Sequence, residues 1–92
     1  MTGQALSEKV FILPEVLDLR AAAPLSGDLL ALRGRALYLD ASGVKTVGAL
    51  CLQVLLSARV TWQRDDLPFS VVTPSAAFSS AMGLFGAPFL AG

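Results

Sequence analysis

The sequence predicts a small α/β domain, and three features of it lead there. Ala36-Leu37-Tyr38-Leu39-Asp40 is a short apolar run closed by Asp40, Ser42 and Gly43, the pattern of a buried strand that ends in a turn. From Gly48 to about Trp62 the apolar residues continue too long, and with helical spacing, for a second strand. Strand-like runs alternate with Ala- and Leu-rich helical segments along the rest of the chain, which is the pattern of α/β architecture. In such a β-loop-α unit, the loop and the helix N-terminus face whatever the protein binds.

Met1 to Glu8 is polar and reads as a ragged start. Lys9-Val10-Phe11-Ile12-Leu13 is a first strand, β-branched and aromatic, stopped by Pro14. Glu15 to Asp18 reads as a short second strand or as the beginning of a helix. Leu19 to Leu32 favours helix, but Pro24 interrupts it and Ser26-Gly27-Asp28 can cap a second piece, so one kinked helix or two short ones fit equally. Arg33-Gly34 is a turn before the central strand, Arg35 to Leu39.

The long helix carries polar residues at Gln53, Ser57, Thr61 and Arg64, spaced to form one stripe. Leu50, Val54, Leu55, Ala58 and Trp62 make an apolar face that Leu52 and Leu56 widen. An arc that wide packs on a sheet and leaves a flank for another body. Asp65-Asp66 ends the helix, and Leu67 to Val72 is a strand with an irregular start at Pro68. Thr73-Pro74-Ser75 breaks that strand and sets up a cap for a helix over Ala76 to Phe85. Gly86 and Pro88 end this helix, leaving room in Phe89 to Gly92 for at most a vestigial strand. Neither a repeat nor a linker divides residues 1–92, which read as one domain.

Composition narrows the functional classes. Apolar residues make up 54% and charged residues 15%, the latter against about 25% in typical soluble domains. A domain of this size has much surface for its volume, so part of the apolar excess faces outward, where it marks a contact site or a homodimer face. Net charge is zero with no basic run, which argues against nucleic acid and against an anionic membrane surface as partner. The single Cys51 permits no internal disulfide and suits a reducing compartment. With no basic-then-apolar leader and no run of about 20 apolar residues, the expected location is the cytoplasm without direct membrane insertion.

Enzymatic chemistry is not expected. The chain has no histidine, which removes Ser-His and Cys-His nucleophile pairs and histidine metal sites. Its carboxylates show no paired spacing for acid/base work, and no glycine-rich phosphate loop is present. Neither a metal nor a cofactor is expected. Asp40 reads as a turn carboxylate that accepts backbone N–H bonds, and Cys51 as a buried thiol. Met82, Leu84 and Phe85 read as an apolar helix end packed in the core, with contact to a partner as the alternative.

The run LDASGVKTVGALCLQVLL resembles the central motif of STAS domains, the fold of bacterial anti-sigma-factor antagonists. That motif runs Leu-Asp-x-Ser-x-Val, two residues, an apolar residue, then Asp-Ser-Ser-Gly-Leu and a Leu-rich helix. Leu39, Asp40, Ser42, Val44, Val47, Leu52, Leu55 and Leu56 fall on matching positions. The family's Asp-Ser-Ser-Gly aligns with Gly48, Ala49, Leu50 and Cys51, so the phosphorylated serine falls on Leu50, which has no hydroxyl to modify. The resemblance implies a small mixed β-sheet with helices packed on one face, in a version truncated at the C-terminus.

It also implies a non-enzymatic adaptor for a bacterial signalling protein, a histidine kinase of chemotaxis type or a kinase-like anti-sigma factor. The contact surface it points to comprises Ser42, Lys45, Thr46, Gly48, Ala49, Leu50, Gln53 and Ser57. Alternatives are an anti-sigma antagonist switched at Ser42 or Thr46, a regulatory subunit of a lipid or anion transport assembly, and a plain homodimer.

Overall fold

The computed structural model describes residues 8–85 of the chain. The five strands are β1 (Glu8–Ile12), β2 (Val16–Leu17), β3 (Ala36–Asp40), β4 (Thr46–Val47) and β5 (Phe69–Val72). The three α-helices are α1 (Ala22–Ala31), α2 (Ala49–Arg64) and α3 (Ala76–Leu84). A 3-10 turn at Leu19–Ala21 leads into α1.

The α/β class holds. β3 is the middle strand of a three-stranded sheet in the order β1-β3-β5, and β2 pairs with β4 in a separate two-stranded ribbon. Every pairing among the described residues is parallel. The mixed strand directions implied by the family resemblance are therefore not seen in this region. Parallel neighbours need crossover connections, and α1 and α2 lie in those two crossovers.

Register decides which side chains meet. Phe11, Leu39 and Val71 stand abreast, as do Leu37 and Phe69. This face packs with Leu25 and Leu29 of α1, Leu55 and Trp62 of α2, and Phe78 and Met82 of α3. All three helices thus cover one side of the sheet. The opposite side carries Val10, Ile12 and Val72, exposed by 58%, 72% and 39%.

Trp62 is fully buried against Phe69, with ring centroids 5.5 Å apart, and its indole Nε1–H donates to the Arg35 carbonyl at 2.8 Å. Arg33 grips the Asp65 carboxylate through Nε and Nη2 at 2.8 and 3.0 Å. Both contacts tie the C-terminal end of α2 to the turn before β3. Among the described residues no buried side-chain nitrogen or oxygen lacks a partner.

Several sequence expectations are refined. Glu15 to Asp18 resolves into the two-residue β2 followed by Asp18, whose carboxylate caps the 3-10 turn through the N–H groups of Arg20 and Ala21. Segment 19–32 then gives one α-helix. Pro24 sits in its first turn, where a missing N–H costs nothing, and the Ser26-Gly27-Asp28 break is not used. Helix α2 runs on to Arg64, and β5 begins at Phe69. Met82 is buried as expected, but Leu84 and Phe85 are 82% and 42% exposed, because α3 turns only the Phe78–Met82 side inward. The expected end of α3 at Gly86 and Pro88, and the vestigial strand after it, lie outside the described residues.

Candidate functional surface

The connection from β3 to α2 begins where β3 ends, at Asp40. Its carboxylate Oδ1 accepts the Ser42 backbone N–H at 2.9 Å, the turn geometry expected for Asp in that position. The same oxygen accepts the Thr73 hydroxyl at 3.0 Å. Ser42 and then Thr73 hold the Asp40 carboxyl below the usual carboxylate range.

The middle of the connection is fastened on the other side by the backbone around β2. Lys45 N–H and Thr46 N–H both donate to the Glu15 carbonyl, at 2.7 and 3.3 Å, and Gly48 N–H donates to the Leu17 carbonyl at 2.7 Å. The Lys45 ammonium lies 3.6 Å from the Glu15 carboxylate, with both side chains largely exposed, so this pair adds little. The segment is a short pinned arch rather than a free loop.

Helix α2 starts at Gly48 with no side-chain cap and no acidic residue in its first turn. Room for a capping side chain is limited there: a Cβ placed on Gly48 would stand 3.2 Å from the Leu17 carbonyl oxygen. Just beyond, Leu50 is 48% exposed and Ala49 is exposed, while Cys51 and Leu52 point inward. Burial pushes the Cys51 thiol up, and its Sγ–H donates to the Asp18 carbonyl at 3.2 Å. Cys51 is a packing residue.

From Leu50 the outward face of α2 continues through Gln53, Val54, Ser57 and Thr61 at intervals of three and four residues, which places them on one stripe. Gln53 and Ser57 are exposed. Beside them, Leu29 and Leu30 of α1 close a cleft of about 350 Å³ floored by Val54, Ala58 and Trp62.

Ser42, Lys45, Thr46, Ala49, Leu50, Gln53 and Ser57 are all solvent-exposed and Gly48 is half-buried. They line the arch and the adjoining first half of α2. The hydroxyl pair Thr73 and Ser75, which braces the arch from the β5–α3 turn, was not among the expected contact residues. The sequence signal for it was Thr-Pro-Ser before a helix, legible only as a cap.

Among the described residues no three histidines, cysteines, aspartates or glutamates cluster to hold a metal. No helix of this region is long and apolar enough to cross a membrane. What the surface offers is a hydrophobic side chain at an uncapped helix start, flanked by neutral hydrogen-bonding groups and one exposed cation.

The comparisons with known proteins agree with the motif. A family model described as "Mlab, STAS domain" matches residues 2–88. No curated protein and no solved structure matches the chain. The matched region spans almost the whole sequence and includes the arch and all three helices, and STAS domains are protein-interaction domains: this chain belongs to the STAS-domain family.

Proposed function

We propose that the protein is a non-enzymatic adaptor that docks on a larger bacterial signalling protein, a histidine kinase of chemotaxis type or a kinase-like anti-sigma factor. The contact is made by the arch from Ser42 to Gly48, by Ala49 and Leu50, and by Gln53 and Ser57 on the stripe of α2. The observation that carries the reading is Leu50. By the motif resemblance it takes the place of the family's phosphorylated serine, and nearly half of it faces water. An exposed leucine at an uncapped helix start gives a partner both an apolar anchor and open backbone donors. Without a hydroxyl, that position is always in its docking form.

The test is capture of the chemotaxis-type histidine kinase of the same cell by the tagged full chain and by its Leu50→Asp variant. Wild type should retain the kinase and the variant should lose it, with the circular dichroism of the two chains identical. Equal retention by both removes Leu50 from the contact. Recovery of a transport ATPase in place of the kinase supports the transport-subunit role.

A second reading, an antagonist switched by phosphorylation at Ser42 or Thr46, is favoured by the exposure of both residues on the arch. Incubation with kinase and ATP followed by intact-mass measurement separates the two. An added phosphate supports the switch, and an unchanged mass supports the constitutive adaptor.

A further inference from the structure

Thr73 follows β5 and has φ +49°, a left-handed backbone that a β-branched residue rarely adopts. Such a conformation persists only where its surroundings enforce it. Here the surroundings are the arch. The Thr73 hydroxyl donates to Asp40 Oδ1 at 3.0 Å, beside the Ser42 N–H on the same oxygen. Two residues later, the Ser75 N–H donates to the Ala41 carbonyl at 3.1 Å, and the Ser75 hydroxyl donates to the Val44 carbonyl at 2.6 Å. The Thr73–Ser75 turn therefore grips the arch at Asp40, Ala41 and Val44, opposite the side fastened to Glu15 and Leu17.

A turn that needed only a left-handed residue would be served better by glycine, which adopts φ > 0 without strain, or by asparagine. Threonine carries the strain and supplies a hydroxyl directed at Asp40. We infer that Thr73 is a positioning residue for the docking surface, its hydroxyl bracing the first half of the arch through Asp40 so that the segment leading to Leu50 is fixed before a partner arrives. This rests on the docking reading above. The gain is preorganisation, which reduces the ordering that binding would otherwise require.

Three full-length variants test it: Thr73→Gly, Thr73→Asn and Leu50→Asp. In Thr73→Gly the strain is relieved and the hydroxyl is lost, so the melting temperature should hold or rise. Amide exchange at Val44 and Ser75 should nevertheless quicken, by about tenfold, and retention of the histidine kinase should weaken. Thr73→Asn tolerates the left-handed backbone and carries an N–H donor, and should restore both protection and retention. Unchanged exchange at Val44 and Ser75 in Thr73→Gly would overturn the inference. So would a fall in melting temperature with faster exchange throughout the sheet, which is the signature of a structural role alone. Faster local exchange with undiminished kinase retention would overturn the positioning role while the docking surface stands. Retention undiminished in Leu50→Asp would instead count against the surface itself.

Discussion

The two helices that follow the sheet's C-terminal edge begin in opposite ways. At α3 the N-cap Ser75 has ψ 164°, and its hydroxyl accepts the Phe78 N–H at 3.0 Å while donating to the Val44 carbonyl. At α2 the N-cap Gly48 has nearly the same extended backbone, ψ 161°, and no side chain at all. One start is closed by the chain's own chemistry. The other is left open, with exposed Leu50 on it, and the nearby Leu17 carbonyl limits the room for a capping side chain. The contrast separates a helix start tied into the fold by its cap from one whose exposed leucine is the anchor of the proposed docking surface.

The largest effect expected from breaking this contrast is on binding. Leu50→Asp should weaken kinase capture by more than about 2 kcal/mol, the scale of an interface hot spot. The same change puts an acid in the first turn of α2, where it favours the helix dipole by about 0.3–1 kcal/mol. Binding should thus collapse while thermal stability holds or rises, as read by pull-down and calorimetry on one preparation.

Next comes the closed start. Ser75→Ala removes a cap and the donor to Val44, and should cost about 1–2 kcal/mol in chemical denaturation. Gly48→Ser sharpens the comparison from the other side, since it offers α2 the cap that α3 already has. The Cβ would press on the Leu17 carbonyl at 3.2 Å, so the expected outcome is a net loss of up to about 1 kcal/mol despite the new hydroxyl. A clear gain in stability would mean that α2 lacks a cap for no steric reason.

The smallest effect is on acidity. Ser42 and Thr73 lower the pKa of Asp40, so its contribution is present above the ordinary carboxylate range and is lost as pH falls below about 4, through the folded-state value. Arg33 lowers that of Asp65 in the same direction. Acid should therefore loosen the arch at Val44 and the far end of α2 over a similar range. An Asp40→Asn variant should remove the pH dependence of Val44 exchange only, and Asp65→Asn should leave that dependence in place.

The sequence made some of this legible and hid the rest for physical reasons. Strand β3 was readable as a short continuous apolar run closed by turn residues, helix α2 because packing along one side imposes a long apolar pattern, and Trp62 fell in the core as its position implied. Asp40 was readable as a turn because Asp, Ser and Gly make that geometry locally. Strand β4 was not, since two residues carry no periodicity and pair only because β2 lies alongside them. The fate of Pro24 turned on where the α-helix begins, at Ala22 after a 3-10 turn that Asp18 caps at its start, which puts the proline in the first helical turn. Leu84 and Phe85 looked like core from composition, yet helix rotation turned them outward. The brace from Thr73 and Ser75 joins residues 31 to 34 positions away from their partners, beyond the reach of any local pattern.

The most direct test of the account is a backbone amide titration of the isotope-labelled chain with the histidine kinase, followed by NMR. Perturbations concentrated on Ser42 to Leu50, Gln53 and Ser57 are the predicted result. Perturbations confined to Val10, Ile12, Tyr38 and Val72 would place the partner on the opposite face of the sheet and contradict it.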